Sequence, residues 1–282
     1  MSLVSLTMDT QRSLKRRIKT PKGLLLAMFA VLAVVALVSV HAEQALPNLI
    51  IAAGTAAAVD MMIVALRRDE WLFPDGALLT GMIVALVLRP QEPAAVVMLA
   101  ATVAILTKQF IRTRWSNILN PAAAGLVFAT LVFGSGQAWW GALPQLEVLG
   151  AVLILGCGYY MANRLNKLPM ILAFLGVYYA LFTVAGFFGD TGVTAEVFRT
   201  PDLQAALFFS FFMLDDPPTS PVRIEDQVVY GIVVATAAYF IFISYGGVYY
   251  LPAALLLGNV WESGRRLYHD YARKRSVVPA QA

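Results

Sequence analysis

Charge is scarce in this chain, and so are the residues that build metal centres. Of its 282 residues, 13% are Asp, Glu, Lys or Arg, about half the share of an ordinary soluble domain. The single cysteine, Cys157, lies inside an apolar run. That excludes a disulfide framework or a cysteine-ligated cluster within the chain. The two histidines, His41 and His269, fall on opposite sides of the membrane in the topology derived below. A haem held by two histidines of one bundle is therefore not expected. Nothing matches a phosphate-binding loop, a dinucleotide fingerprint, a catalytic triad or a metal-ligand cluster. No catalytic residue and no metal ligand is assigned, and any oxidation of NAD(P)H belongs to another protein. The formal charge of +4 is no nucleic-acid signal, because the basic residues sit between apolar segments rather than on one face.

Hydrophobic residues are what the chain has in excess: 59% of the total, with a mean hydropathy of +0.71. Such a composition fits a polytopic helical membrane protein, and the length allows about ten spans at about 20 residues each. Ten apolar segments can be read, at 23–41, 47–66, 75–89, 93–107, 118–134, 146–162, 168–187, 201–214, 227–244 and 248–262. The third and eighth are short. At about 1.5 Å per residue they reach only about 22 Å of a hydrocarbon layer about 30 Å thick.

The basic residues give the orientation. The N-terminal tail holds Arg12, Lys15, Arg16, Arg17, Lys19 and Lys22, and the C-terminal tail Arg265, Arg266, Arg273, Lys274 and Arg275. Alternate connections hold Arg67 and Arg68; Lys108, Arg112 and Arg114; Arg164 and Lys167; and Arg223. Only Arg89 and Arg199 fall on the other side. The positive-inside rule then makes both termini cytoplasmic and the span count even. The expectation is a multi-pass protein of the cytoplasmic (inner) membrane in contact with lipid: a basic tail at 1–22, a transmembrane domain at 23–262 and a second basic tail at 263–282. The first segment also has the form of a signal peptide, with Val40-His41-Ala42 before Glu43. Its removal would leave nine spans.

Two stretches resemble one another. Each opens on Asp (Asp75, Asp202), continues as a short apolar run and closes on Pro (Pro90, Pro217). Further on, Asn120-Pro121-Ala122-Ala123 is echoed by Leu251-Pro252-Ala253-Ala254. Five spans per copy, about 23–134 and 146–262, force the copies into opposite orientations. That is the inverted-repeat plan, which places binding sites where short helices of the two halves meet.

Two motifs carry polar groups into this apolar setting. One is Asn117-Ile118-Leu119-Asn120-Pro121-Ala122. The other is Phe211-Phe212-Met213-Leu214-Asp215-Asp216-Pro217-Pro218-Thr219-Ser220-Pro221. The second resembles the Phe-Phe-Met-x-Thr-Asp-Pro-x-Thr-Ser-Pro signature of the NqrB/RnfD family, membrane subunits of sodium-translocating NADH:quinone oxidoreductases and of Rnf electron-transport complexes. The first is similar to that family's Asn-Pro-Ala signature, and Asp75-Gly76-Ala77-Leu78 is a third, weaker match. The resemblance covers about Pro47 to Trp261. It implies an all-α fold of ten helices in two inverted five-helix repeats, shared with urea channels. It also implies a noncovalent flavin (riboflavin or FMN) and electron relay between a cytoplasmic NAD(P)H or ferredoxin reductase and an acceptor in or across the membrane. Other membrane or cytoplasmic redox subunits are the partners it implies.

The family's covalent FMN hangs on a Thr in a Ser-Gly-Ala-Thr-type motif. The loop Gly134-Ser135-Gly136-Gln137-Ala138-Trp139-Trp140-Gly141 has no Thr, and the stretch Asp190 to Thr194 does not match. No covalent FMN is expected. Asp215 stands where the family has Thr, adding a negative charge. With the FMN motif gone, a small-solute channel of the urea-channel type, or an accessory membrane protein of a biosynthetic pathway, stays open as a rival.

Each polar residue has two readings. The amides of Asn117 and Asn120 are three apart on one helical face. They can pair with the alternating acceptors and imide donor of a flavin edge, while Asn before Pro is also an ordinary helix cap. Asp216 and Thr219 are the cofactor-contact residues of the second motif, and Asp-Pro is also a plain turn former. Asp60, inside the second segment, and Asp215 are candidates for an ion or proton pathway. A lone charge there costs about 2.5–3.5 kcal/mol on insertion scales, so Asp60 otherwise requires a polar partner on a neighbouring helix. The Phe208, Phe209, Phe211 and Phe212 run either walls a ring or packs against helices. Trp71, Trp115, Trp139, Trp140 and Trp261 stand near segment ends and fit an interfacial belt. Reporter fusions at Ser2 and Ala282 should both signal from the cytoplasm; periplasmic signals from both would remove the topology and the repeat together.

Overall fold

The computed structural model describes residues 20–40, 42–68, 73–113, 116–189, 191–246 and 249–277. The basic residues Arg12 to Lys19 and Arg114, together with His41, Trp71, Trp115 and Asp190, lie outside them. The helices are α1 (Pro21–Ser39), α2 (Ala42–Arg68), α3 (Asp75–Val87), α4 (Ala94–Phe110), α5 (Pro121–Phe133), α6 (Glu147–Arg164), α7 (Leu168–Phe188), α8 (Thr191–Glu196), α9 (Asp202–Phe212), α10 (Ile224–Tyr245) and α11 (Tyr250–Val277). Strand pairing among the described residues is confined to two isolated bridges, Leu88 with Gln137 and Arg112 with Asn117.

Local chemistry sets the helix ends. Thr20 accepts from the Gly23 N–H at 3.1 Å ahead of Pro21, which has no N–H to lose. Gly134 and Gly246, at φ 65° and 56°, close α5 and α10 in the left-handed conformation that glycine adopts without strain. Each of the ten apolar segments falls on one helix, and α8 is an additional short turn. The last helix runs past the expected boundary at 262 to Val277. Salt bridges from Glu262 to Arg265 and Arg266, one turn on, favour its continuation.

Among the described residues, five helices are long and apolar enough to cross a membrane: α1, α2, α6, α7 and α10. The chain is therefore a multi-pass membrane protein. Helices α3, α4, α5 and α9 are shorter, at 13, 17, 13 and 11 residues. Two of these, α3 and α9, are enclosed by protein. Leu79 to Val87 of α3 and Gln204 to Phe212 of α9 are all buried. A helix shielded from lipid in this way does not have to match the bilayer thickness.

Packing follows a similar scheme in both halves. Helix α1 packs on α3, α2 on α4, and α4 on α5; correspondingly α6 packs on α9, α7 on α10, and α10 on α11. Helices α5 and α11 meet each other across the halves. Close approach is made by small residues: a Cβ at Gly81 would lie 2.5 Å from the Ala52 carbonyl oxygen, and one at Gly231 2.5 Å from that of Met170. In lipid, where apolar burial drives little association, such backbone contact supplies the packing energy.

The loop between α5 and α6 departs from expectation. Trp139 and Trp140 are buried, not interfacial, and the Trp140 indole N–H donates to the Ala85 carbonyl at 2.7 Å. The chain folds back into the protein here, with the Arg89 N–H on the Gly136 carbonyl and the Ala138 and Trp139 N–H groups on that of Val87. The Phe run on α9 packs within the bundle. Phe208 and Phe212 meet Phe29, Phe208 and Phe209 meet Trp139, and Phe209 meets Phe174, with ring centroids 5.1–6.5 Å apart. These are ordinary aromatic contacts.

Gly81→Ala should destabilise the protein by about 1–3 kcal/mol, because only backbone separation of α2 and α3 relieves the clash. Gly54→Ala, with nothing within 4 Å of the new methyl, should leave stability unchanged. Thermal unfolding of the two variants in the same detergent distinguishes them.

Candidate functional site

Both motifs lie at one end of the bundle, together with Lys22, Lys108 and Lys167, whose charges act on Asp216, and Arg266, which hydrogen-bonds to the turn after α9. This is called the basic end below. Arg89, Gln137 and Asp202 lie at the opposite end.

The turn is built on Asp216. Its carbonyl accepts from the N–H groups of Thr219 and Ser220 at 3.1 and 3.0 Å and from the Ser220 hydroxyl at 2.8 Å. Its carboxylate accepts from the Thr219 hydroxyl at 3.0 Å. Three prolines and these bonds fix the backbone without any helical continuation. Thr219 and Ser220 are buried and act as the turn's own hydroxyls.

Asn120 joins the first motif to this turn. Its side-chain oxygen caps α5 by accepting from the Ala123 N–H at 3.0 Å, and its NH2 donates to the Met213 carbonyl at 3.2 Å. Its backbone N–H donates to the Asn259 side-chain oxygen at 2.7 Å, and the Asn259 NH2 donates to the Tyr230 hydroxyl at 2.6 Å. One buried chain of polar groups thus connects α5, the end of α9, α11 and α10. Asn117, half-buried, pairs through its backbone with Arg112 and keeps its side-chain amide free of bonds to described residues.

Arg266 makes a second bridge between the motifs. It donates to the Ser116 hydroxyl at 3.2 Å and to the Pro218 and Ser220 carbonyls at 3.3 and 2.7 Å. Glu262, 1% exposed, holds it at 2.7 Å and also holds Arg265 at 2.8 Å; Arg265 reaches on to Asp226 at 2.6 Å. Beside these groups lies a cavity of about 450 Å³, lined in part by Ser116, Pro217, Pro218, Arg223, Arg265 and Arg266. Its size falls in the usual range for small-ligand pockets, about 300–1,000 Å³.

Lys167 is buried under the turn and donates to the Pro221 carbonyl at 2.6 Å. Desolvation lowers its pKa, and the nearby Asp215 carboxylate opposes that shift. Burial raises the pKa of Asp215 well above the carboxylate range; the Asp216 charge adds to this and Lys167 opposes it. Burial also pushes Asp216 up to about 6, against the Thr219 hydrogen bond and the charges of Lys167, Lys22 and Lys108. Asp60, on α2, lies apart from the turn's own hydrogen bonds. It accepts from Lys108 at 3.2 Å and from Gln109 at 2.6 Å, so it has polar partners on a neighbouring helix.

Asn120, Asp216 and Thr219 are thus brought together, with Asn117 and Asp215 adjoining. Asn259, Glu262, Arg266 and Lys167 were not singled out by sequence. The only signals for them were an amide in the last apolar segment and a carboxylate one helical turn before an Arg pair.

A raised folded-state pKa at Asp216 stabilises the fold fully below about pH 4, the unfolded value, and this is lost as pH rises through about 6. The melting temperature should therefore fall between those values. Asp216→Asn should flatten that fall, and an unchanged slope would refute the assignment.

The comparison with protein families agrees with the motif reading for the first half. Residues 10–146 match the NQR2, RnfD, RnfE family, a span that includes Asn117 and Asn120 and ends before the Asp216 turn. No curated protein matches the chain significantly. Over residues 10–146, the chain is thus similar to the NQR2, RnfD, RnfE family.

Proposed function

We propose that the protein is an electron-transfer subunit of the Nqr/Rnf type, which holds a noncovalent flavin at the basic end between its two halves. The observation that carries this reading is the joining of the two motifs, through Asn120 and Arg266, beside a cavity of about 450 Å³. The family match supplies the class of complex. Bound flavin would supply one- and two-electron chemistry, and the protein would supply position and polarity.

The residues present fit such a group in part. Asn117 keeps a free amide and Asp216 keeps acceptor capacity; they stand next in the chain to Ser116 and Pro217 of the cavity lining, and would be the contact residues. The amide of Asn120 and the hydroxyl of Thr219 are engaged in the protein's own bonds and hold the contact residues in place. Three arginines (Arg223, Arg265, Arg266) and three carboxylates (Asp226, Glu262, Asp270) line the cavity, so polar contacts rather than a net positive field would hold the ligand. Asp215, buried near Lys167, is the candidate for proton uptake coupled to reduction. Asp60, paired with Lys108, would be a second group on an ion or proton pathway.

The finer architecture belongs to the same proposal: two inverted five-helix repeats, a urea-channel-like plan, and both termini in the cytoplasm of an inner-membrane protein. Its support is the matched packing of the halves and the gathering of Lys22, Lys108, Lys167 and Arg266 at one end. Electrons would come from a cytoplasmic NAD(P)H or ferredoxin reductase and pass to a partner's carrier, since one flavin does not span about 30 Å.

Purified under gentle extraction, the protein should show flavin absorption, and the flavin should separate on denaturation. Asn117→Ala or Asp216→Ala should lower flavin affinity about 5- to 150-fold, the equivalent of about 1–3 kcal/mol for an unsatisfied buried polar partner. Unchanged flavin content in both variants, or none in the parent protein, would reject the reading in favour of the channel.

A further inference from the structure

Three of the helices long enough to cross a membrane have their ends at one place on the basic end. Helix α6 stops at Arg164, and α7 and α10 begin at Leu168 and Ile224. Between these ends lies a groove of about 620 Å³, lined by Asn163 and Asn166, the start of α7, and Val222 to Ile224. It stands at the level where spanning helices leave hydrocarbon for water. Its rim is amphipathic, with Val222 and Ile224 83% and 64% exposed on either side of Arg223. Apolar side chains so exposed beside a cation fit the boundary between acyl chains and headgroups.

The polar side chains of the groove can all donate. The Arg223 guanidinium is exposed and forms no ion pair among the described residues. The side-chain amides of Asn163 and Asn166 are also exposed and make no hydrogen bond to described residues. Asn166, at φ 54°, adopts the left-handed conformation that asparagine tolerates. The carbonyls at the end of α6 are engaged: Met161, Ala162 and Asn163 accept from the N–H groups of Leu165, Lys167 and Asn166 at 2.9, 2.8 and 3.2 Å. Helices α7 and α10 start here without a side-chain cap and add the positive ends of their dipoles. No carboxylate is among the lining residues. The nearest in the chain are Glu225, exposed, and Asp226, which Arg265 holds at 2.6 Å. Behind the wall, the Gln227 NH2 donates to the Asn166 and Val222 carbonyls at 2.9 and 3.0 Å. Its Oε1 is buried without a hydrogen-bond partner among the described residues.

A cation, two amides and two helix starts, with no carboxylate in the lining, suit a phosphate group. The exposed apolar flank suits a phosphate attached to acyl chains, and basic pockets between spanning helices fit such headgroups. A glycerol headgroup also carries hydroxyls that can donate to an acceptor such as Gln227 Oε1, whereas choline has no N–H or O–H. We propose that this groove seats the headgroup of an anionic phospholipid, with Arg223, Asn163 and Asn166 on its phosphate. The groove is distinct from the cavity beside the two motifs, and Val222 and Arg223 form the wall between them. The seat does not depend on the flavin reading.

The detergent-solubilised protein is titrated with phosphatidylglycerol, with phosphatidylcholine of the same chains, or with inorganic phosphate. Lipid retention is followed by native mass spectrometry, and the melting temperature in parallel. Phosphatidylglycerol should be retained as one tightly held molecule per chain and should raise the melting temperature saturably; the other two should do neither. Arg223→Gln should weaken retention about tenfold, as for the loss of a charge-assisted hydrogen bond. The double variant Asn163→Ala with Asn166→Gly, in which glycine keeps the left-handed turn, should weaken it in the same sense. Arg112→Gln, exposed at the same end, should leave it unaltered. Equal retention of both lipids would mean an unselective annulus and would overturn the proposal. A thermal response reproduced by inorganic phosphate, the mark of a free-anion site, would overturn it too, as would unchanged retention in the groove variants. Should Arg223→Gln fail to fold, the asparagine pair, which lies outside the lining of the flavin cavity, carries the same decision.

Discussion

The amide of Asn120 is the constraint on which the basic end depends. A side chain that caps one helix, ties down the end of another and receives a third through its own backbone has no freedom left to vary. Buried amides in so apolar a protein must be satisfied, and here the partners come from both halves. The geometry of the Asp216 turn follows, since Met213, held by Asn120, fixes where the chain leaves α9. Arg266 and Glu262 complete the arrangement from α11, the buried carboxylate held in contact with a part-exposed guanidinium so that it does not stand alone.

Much of the fold was legible in the sequence because hydropathy and chain punctuation are strong signals in a membrane protein. Pro21 and Pro121 mark helix starts, and Gly134 and Gly246 mark ends. The shortness of the third and eighth segments anticipated α3 and α9, and their burial explains how such lengths are tolerated. The loop holding Trp139 and Trp140 was misread for a physical reason. A tryptophan near a segment end has the same pattern whether it anchors at headgroups or turns back inside, and only the acceptor offered by Ala85 decides.

The site was legible in part. Asn before Pro and adjacent carboxylates in an apolar run announce themselves, because their cost demands a reason. What sequence could not give is the partner of each group. Asn259 looks like any polar residue in a helix, and Lys167 like any loop charge counted for orientation. Their roles arise from contacts between segments far apart in the chain, which no local pattern encodes. Equally, the engagement of Asn120 in three bonds shifts the burden of ligand contact to Asn117, a distinction that spacing alone does not make.

The Asn120–Asn259 bond has a consequence for biosynthesis. The two residues are 139 positions apart, and a ribosome adds about 5–20 residues per second. For about 7–28 s the start of α5 is therefore present without the acceptor that completes it. The first half waits in the membrane with an unmet donor until the last helix is made, and that helix also brings Glu262 and Arg266. Assembly at the basic end is in this sense a closing step, performed by α11, and a chain interrupted before residue 259 would leave the α5 backbone N–H without its partner.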